Sequence, residues 1–247
     1  LTTEQVQAMG TDDIAALTTG QVLGLTTAQI AALTTNQVDA LTTAQAAVLK
    51  TSQLAALDTA QVRAIGTDDL AALTSAQLAG MGSTQLAALT TEQVQALETQ
   101  DVASIRTGII SSLGTDQIEA LTTAQAAALK SAQLAALTTE QVAAIGTDDL
   151  AALSTAQVGG FTTAQVAALT TAQVDALTTA QAAALRSSQL AALDTAQVQA
   201  IGTDDLAALT TAQLATMGSA QLAALTTEQV QALETQDVAA IRTSVIA

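Results

Sequence analysis

The chain has 247 residues, of which 22 are acidic and 6 are basic, so that its formal net charge is −16. This charge argues against binding to nucleic acid or to anionic membrane surfaces, which are themselves negative. The absence of Cys, His, Trp, Tyr and Pro, and of any run of about 18 large apolar residues, excludes a disulfide framework, an imidazole metal site and a membrane-spanning helix.

The sequence repeats every eight residues from its first residue to its last. Written in rows of eight it fills thirty rows with seven residues over, and each row resembles residues 169–176, which read LTTAQVDA. We call each row an octad and number its columns one to eight. A period this short indicates a repeat array in which each unit contacts its neighbours, and not a set of globular domains.

Each column of the octad has its own composition. Column one is large and apolar, column three is Thr or Ser throughout, column five is mostly Gln, column six is apolar, and column eight is small. Columns two, four and seven vary among Thr, Gly, Ala and charged or amide residues, so we expect them to face water. Columns one and six therefore form the predicted core.

The octad favours one short helix in each row. In a continuous α-helix eight residues turn about 800°, so that column one would drift by about 80° a row and form no stripe. In a strand, columns one and six would point to opposite faces, and the high Ala content disfavours strands as well. A helix over columns four to eight and the next column one places Val174 and Leu177 on one face. We therefore predict an all-α solenoid of very short capped helices, one per octad and about thirty in all.

The hydroxyl of column three predicts where each helix begins. Thr and Ser are favoured at the N-cap, where the side-chain oxygen accepts from backbone N–H groups two or three residues on, so we assign Thr171 and its equivalents to this position. Acidic residues gather in columns four and five, as at Asp12 and Asp13, where the helix dipole favours negative charge. We expect column two to be an extended link in which Thr170 could be replaced by Lys at little cost.

The Gln column predicts a ladder between successive coils. A half-buried amide needs partners for two donors and one acceptor, and a stack of equivalent residues supplies them at constant spacing. In six octads Asp takes this column, which keeps the acceptor and loses the donors. The column is apolar only at Ile109 and Val245.

A longer repeat is superimposed on the octads. Residues 1–111 closely match residues 137–247, which gives one larger repeat at 1–136 and an incomplete one at 137–247. The intervals between successive Gly-Thr-Asp-Asp octads, counted in octads, share no common factor above one. We therefore expect one screw operation to relate every octad to the next. Residues 105–110 and 241–246 break column five and mark the end of each larger repeat. We predict that 1–247 is a single continuous solenoid.

Two surface features have functional alternatives. Rows of Thr could match an ice lattice, but the predicted caps already explain column three, and charged residues such as Lys50 and Glu98 interrupt column two. Four Asp pairs could hold calcium, but they lack the alternating ligand spacing of an EF-hand, and charge at a helix start accounts for them. We assign no catalytic, cofactor-binding or metal-binding residue, because no activating base accompanies any hydroxyl. The four pairs are Asp12–Asp13, Asp68–Asp69, Asp148–Asp149 and Asp204–Asp205.

The octad resembles two known groups of sequences. The string Leu-Thr-x-x-Gln, as in residues 1–5, resembles the motif of a family of small periplasmic stress chaperones, but the long helices of that family are missing and its function is not carried over. The whole chain resembles the tandem octapeptide stretches of very large secreted bacterial proteins labelled as adhesion or haem-utilisation proteins. A haem site is not indicated, because His, Cys and Tyr are absent and only three Met occur.

We expect a non-enzymatic structural spacer or stalk, without cofactors, in a secreted or cell-surface bacterial protein. The chain starts in phase with the repeat and without Met or a signal peptide, so we interpret it as a segment that contacts other segments of the same large protein. The alternative is a binding module that uses the solenoid groove or surface for a peptide, for self-association or, less favoured, for ice. The thin and dispersed variation among octads favours the spacer.

Overall fold

A computed structural model of the chain describes residues 1–240, and over that range it is helical without strands. Each octad contributes one helical element, which gives 29 α-helices and one 3₁₀-helix. The predicted all-α fold is confirmed. None of the helices in the described range has both the length and the apolar character that a bilayer crossing requires.

The chain forms two compact units. Unit one is Leu1–Ala128 and unit two is Leu129–Ala247. That residues 1–247 form one continuous solenoid stays a prediction. The helices of unit one are α1 Thr3–Gln7, α2 Thr11–Ala15, α3 Thr19–Gly24, α4 Thr27–Ala31, α5 Thr35–Asp39, α6 Thr43–Ala47, α7 Thr51–Leu54, α8 Thr59–Arg63, α9 Thr67–Ala71, α10 Ser75–Ala79, α11 Ser83–Ala88, α12 Thr91–Ala96, α13 Thr99–Ser104, the 3₁₀-helix η1 Ile110–Ser112, α14 Thr115–Glu119 and α15 Thr123–Ala128. Those of unit two are α16 Ser131–Ala135, α17 Thr139–Ala143, α18 Thr147–Ala152, α19 Thr155–Gly159, α20 Thr163–Ala167, α21 Thr171–Asp175, α22 Thr179–Ala184, α23 Ser187–Leu190, α24 Thr195–Gln199, α25 Thr203–Ala207, α26 Thr211–Leu214, α27 Ser219–Ala223, α28 Thr227–Ala232 and α29 Thr235–Ala240.

The N-cap lies in column two, so the assignment of the cap to column three was wrong. In α21 the cap is Thr170, whose backbone is extended (φ −70°, ψ 158°) and whose hydroxyl accepts from the backbone N–H of Gln173 at 3.1 Å. Thr171 is the first helical residue and is exposed. The expectation that column two is a link with an unimportant side chain is wrong for the same reason, although its extended backbone is confirmed.

The links between helices need no unusual backbone conformation. Among the described residues no φ is positive, for glycine or for any other residue. Along the described chain, helices typically end with the column-one N–H donating to the column-six carbonyl three residues earlier, as Leu177 N–H does to Val174 O at 3.2 Å. The chain then extends through column two into the next cap. Because the links share this extended conformation, successive octads are related by similar backbone geometry.

Columns one and six form the core of each unit, as predicted. Val174 is 1% exposed and Leu177 is 6% exposed, and the equivalent residues are buried along most of both units. Within each unit, helices that are three elements apart in sequence pack against one another. An isolated helix of four to six residues is too short to be stable in water, so this packing between coils holds the helices in place.

Column eight packs against column three of the preceding coil, 29 residues earlier. A Cβ atom added to Gly80 would overlap the methyl group of Thr51. Two hydroxyls of column eight donate to the same neighbour: Ser104 Oγ to Ser75 O at 3.2 Å and Thr216 Oγ1 to Ser187 O at 3.4 Å. At Ser104 and Thr216 a larger residue in column eight thus faces the smaller Ser in column three. Each Ser of column three up to Ser187 is followed 29 residues later by a residue other than Ala, in the pairs Ser75–Ser104, Ser83–Ser112, Ser131–Gly160 and Ser187–Thr216.

Candidate functional site: the glutamine ladder

The column-five glutamine joins its own helix to the preceding coil. Gln173 Oε1 accepts from the backbone N–H of Thr170 at 2.9 Å, which completes a capping box with the Thr170 hydroxyl. Its Nε2 donates to Val142 O at 2.9 Å and to Ile145 O at 2.7 Å. The side chain is 1% exposed, so all its polar atoms are satisfied inside the protein.

The same bond recurs along both units, and we call this set of bonds the glutamine ladder. Each Nε2 reaches the link between the octads four and three before its own, so a coil contains between three and four octads. In unit one the distance to the column-one carbonyl 28 residues earlier is 2.5 to 2.9 Å for Gln37, Gln45, Gln53, Gln61, Gln77, Gln85, Gln93, Gln117 and Gln125. In unit two it is 2.6 to 2.8 Å for Gln157, Gln165, Gln173, Gln181, Gln189, Gln197, Gln213, Gln221 and Gln229. The predicted ladder between coils is confirmed.

Charged residues in column two leave the glutamine half of the capping box intact. At Lys50 the side chain does not cap the helix, yet Gln53 Oε1 still accepts from the Lys50 N–H at 2.8 Å. At Asp58 both halves are present, with the Gln61 N–H donating to Asp58 Oδ1 at 2.8 Å. The constant member of the box is therefore the glutamine, and column two can vary because its own contribution is the smaller one.

At Asp69, Asp101 and Asp237 the bond between coils runs in the opposite direction, with the column-five residue accepting. The hydroxyls of Thr43 and Ser75 donate to Oδ1 of Asp69 and Asp101, at 2.8 and 2.7 Å, from column three of the octads 26 residues earlier. Thr211 and Asp237 repeat this contact in unit two at 2.8 Å. Burial, as the largest cause, raises the pKa of Asp69 and of Asp101 above the ordinary value, while these hydroxyl bonds oppose the increase.

The Gly-Thr-Asp-Asp octads have a steric explanation. A Cβ atom on Gly146 would lie 2.8 Å from Asp149 Oδ2, and the other three Gly of this motif show separations of 2.9 to 3.3 Å. A Cβ on Gly82, whose octad has Gln in column five, would meet no atom within 4 Å. The shorter Asp side chain folds back over column two, so the glycine provides space and not a special φ.

Octad 14 has no ladder glutamine, and its column-two arginine donates to the carbonyl that the glutamine would have reached; Arg186 makes the same bond to Phe161 O beside Gln189. Ile109 stands in column five, and the octad forms the 3₁₀-helix η1 in place of an α-helix. Met81 O lies 28 residues before Ile109 and would have accepted from a glutamine, but it accepts from Arg106 Nη2 at 2.9 Å. Residues 105–110 thus differ from the other described octads in structure as well as in sequence. That they mark the end of a larger repeat stays a prediction, and their echo at 241–246 lies outside the described residues. Sequence reasoning missed the role of Arg106.

Three glutamates of column four fit the prediction that negative charge is favoured at the helix start, whereas Asp69 and Asp101 of column five, whose pKa is raised, do not. The pKa of Glu92 lies below its ordinary value because its carboxylate accepts from its own backbone N–H and, as smaller causes, from the hydroxyls of Thr90 and Thr91. Glu4 and Glu140 show the same direction for the same reasons. In residues 1–240 the carboxylates form no group of three that could hold a metal ion.

These contacts define a class of protein: a tandem octapeptide α-solenoid whose coils are joined by glutamine side chains. The family comparison is more specific. The ALTTAQ repeat family model matches residues 1–27, 19–51, 62–99, 94–131, 142–179 and 198–235. The chain belongs to the ALTTAQ repeat family, and it is a repetitive structural segment. A comparison with curated proteins found no match.

Proposed function

We propose that this chain is a structural spacer or stalk segment, without enzymatic activity, whose length is set by the number of octads. The observation that carries the proposal is the bond from Gln Nε2 to the carbonyl 28 residues earlier, which recurs with little change along both units. Each octad with Gln in column five adds one equivalent contact to the array. A protein built in this way can lengthen or shorten by whole octads without a new type of contact.

The proposal is tested by deleting octads. Removal of residues 169–176 brings Leu153 to the position 28 residues before Gln189, where Phe161 stands now, so the ladder bond is kept. We expect this variant to retain its helical circular dichroism and melting temperature and to show a smaller maximum dimension in X-ray scattering.

The matched control removes residues 173–176 only. It deletes Gln173 and Val174 and places a polar residue where column one must be buried, so several kcal/mol of packing and capping are lost at one place. We expect a lower melting temperature or a melt split in two. Equal disruption by the two deletions would contradict the spacer proposal.

We further propose that the parent protein is bacterial and adhesin-like, and is secreted or displayed on the cell surface. The resemblance to octapeptide stretches of very large secreted proteins supports this setting, and the net charge of −16 is compatible with a segment that stays in water. Protease treatment of intact cells tests it: an epitope inside residues 129–240 should be lost when the protein is displayed, and its survival would contradict display.

The second candidate function is a binding module. An open groove of about 450 Å³ in unit one favours it, because Arg63 and Asp116 put both signs of charge beside the hydroxyls of Thr91 and Thr115. Peptides selected from a random library on the wild-type chain should lose binding to an Asp116→Lys variant if the groove is used. Selection without enrichment, or peptides that bind both proteins equally, would contradict this function.

A further inference from the structure

We propose that Asp69 and Asp101 are proton-binding sites that switch the glutamine ladder: the protonated carboxyl donates its O–H to a carbonyl of the preceding coil, as an amide does elsewhere, and holds the coils more tightly at acidic pH. The inference concerns regulation of the array and does not depend on what the spacer carries. The proton comes from solvent, and no other co-reactant is needed.

Asp101 occupies the ladder position that a glutamine occupies in most octads. Leu70 and Leu73 lie 31 and 28 residues before it, the separations at which Gln93 Nε2 donates to Val62 O and Ile65 O at 2.9 and 2.7 Å. An ionised carboxylate in this column has only acceptor atoms and cannot donate a hydrogen bond to a carbonyl oxygen. A protonated carboxyl has one O–H donor, which restores what the substitution of Gln by Asp removed.

The two carboxyl oxygens of Asp101 differ in their hydrogen bonding, and the difference favours protonation of Oδ2. Oδ1 accepts from the Ser75 hydroxyl at 2.7 Å. Oδ2 is buried, and within the part of the chain that the structure describes it has no hydrogen-bond partner. The residue is 1% exposed. A buried oxygen without a partner is costly as an anion, and protonation of Oδ2 removes the charge while Oδ1 keeps its bond to Ser75.

Asp69 shares with Asp101 the hydroxyl bond from the preceding coil, and it also borders a small cavity. It is 8% exposed, its Oδ1 accepts from the Thr43 hydroxyl at 2.8 Å, and it lines an internal cavity of about 10 Å³. Apolar side chains, including Leu41 and Ala46, make up the rest of the cavity wall. Leu41 is the residue 28 before Asp69, so the cavity lies beside the link that the missing amide would have reached.

The charged groups around both carboxyls are acidic. Asp69 is on α9, which packs against α6 and α12; α6 has no titratable residue, α12 has Glu92, and Asp68 and Asp39 also act on Asp69. Asp101 is on α13, which packs against α10 and α15, and neither of these helices has a titratable residue. After burial, the charge of Glu98 at the helix start also raises the pKa of Asp101, whereas the Ser75 hydroxyl and the Glu98 backbone N–H, which donate to the carboxylate, lower it. Negative neighbours and burial both favour the neutral carboxyl.

The sign of the pH effect follows from proton linkage. Because the pKa of each carboxyl is raised in the folded chain, the folded state binds the proton more tightly than the unfolded state does. The resulting stabilisation is complete below the unfolded pKa and is lost as the pH rises through the folded pKa. The array should therefore be more stable in mild acid than at neutral pH.

The test combines thermal melts from pH 7.5 to pH 4.5 at constant ionic strength with a carbon-13 titration of the Asp carboxyl groups. For the wild type we expect the melting temperature to rise as the pH falls, and two carboxyl resonances to titrate above the ordinary range for Asp. In an Asp69→Asn and Asp101→Asn double variant, which carries a permanent amide donor, we expect both resonances to disappear and most of the rise in melting temperature to be lost.

The control variant is Asp116→Asn with Asp175→Asn, two exposed residues whose replacement changes the net charge equally. It should keep the two resonances and the wild-type pH dependence. The proposal is overturned if the wild type shows no elevated carboxyl titration, or if the buried double variant keeps the wild-type pH dependence. It is also overturned if sodium, potassium or calcium at fixed pH and ionic strength stabilises the wild type but not that variant, because the site then binds a metal ion.

Discussion

At the scale of single residues, one side chain joins two levels of structure. Gln173 closes the capping box of its own helix through Oε1 and reaches the preceding coil through Nε2. A helix start and a contact between coils therefore depend on the same amide. This dual role explains why column five tolerates so few residue types, whereas column two, which supplies only the cap hydroxyl, varies widely.

Replacing Gln173 with Met should cost roughly 2–4 kcal/mol of unfolding free energy, because the shape is nearly kept while two buried carbonyls and the part-buried N–H of Thr170 lose their partner. Urea denaturation measures the loss. The matched control is Gln21→Met, since Gln21 is exposed in the first coil and its Oε1 accepts from Thr18 N–H at 2.7 Å. That variant should lose about 1 kcal/mol or less. Equal losses would show that the bond between coils contributes nothing.

Replacing Thr170 with Val should cost about 1 kcal/mol, because the cap hydroxyl is lost while the shape is retained. Thr171→Val, one residue along and exposed, should be within about 0.5 kcal/mol of wild type. Both are measured by urea denaturation. A larger loss at Thr171 than at Thr170 would place the cap in column three after all.

Replacing Gly146 with Ala should destabilise the chain by roughly 1 kcal/mol or more, because the new Cβ would lie 2.8 Å from the buried carboxylate of Asp149. Gly82→Ala should instead be neutral or stabilise by about 0.4–1 kcal/mol, because its φ of −86° suits Ala and no atom lies within 4 Å. Adding Asp149→Gln to the Gly146 variant should recover stability. A loss at Gly82 as large as that at Gly146 would refute the steric explanation.

At the scale of elements, an octad is a helix that cannot stand alone. Four to six residues are far below the length that is stable in water, and each helix is held by its cap and by coils on either side. Octad 14 shows how much variation this arrangement allows. There the α-helix becomes η1, yet Ile110 remains buried and the carbonyl of Met81 keeps a donor, which Arg106 supplies. An octad needs a donor for the carbonyl of the preceding coil and an apolar side chain in the core, and more than one residue type can supply each of them.

Replacing Arg106 with Ala should cost about 1–2 kcal/mol, since the carbonyl of buried Met81 loses a charged donor. Adding Ile109→Gln should recover most of the loss by restoring the ladder amide, and thermal melts of the single and double variants measure the coupling. Lys50→Ala is the control, because the Lys50 side chain does not cap its helix, and it should have little effect. Independent, additive effects of the two changes would mean that Arg106 does not replace the amide.

At the scale of the whole molecule, many equivalent contacts contribute to stability, while the charge is predominantly negative. The net charge of −16 is carried largely by exposed residues of columns two, four and seven. Like charges repel one another in the compact state, and dissolved salt screens the repulsion over distances of about 8–10 Å at physiological ionic strength. Charge therefore opposes the packing that the ladder favours.

Raising the salt concentration from about 0.01 M to about 0.15 M should increase the melting temperature, because the Debye length falls from about 30 Å to about 8 Å. Sodium and potassium chloride should act equally, since the effect is one of screening. Scanning calorimetry at pH 7 measures it. A melting temperature that falls as salt is added would show that attractive charge pairs dominate.

The sequence by itself determined the repeat, the helix type and the core. Columns one and six share a face only on a short helix, so Val174 and Leu177 could be placed inside from spacing alone. The ladder also followed from the sequence, because a column of amides has donors that only a stacked neighbour can satisfy. The cap could have been found as well, because Thr170 and Gln173 form the Thr-x-x-Gln pattern of a capping box. The cap was instead assigned to Thr171, one residue later, because column three is Thr or Ser in every octad.

Only the tertiary structure decided which octads meet. The ladder bond runs from Gln93 to Ile65, 28 residues apart, and that separation depends on how a coil closes, which no local preference specifies. The contact of Ser104 with Ser75 and the use of Arg106 in place of a glutamine both depend on knowing this separation. The physical reason is that an octad determines its own helix through neighbouring residues, whereas the turn of the solenoid results from packing between residues that are distant in the chain.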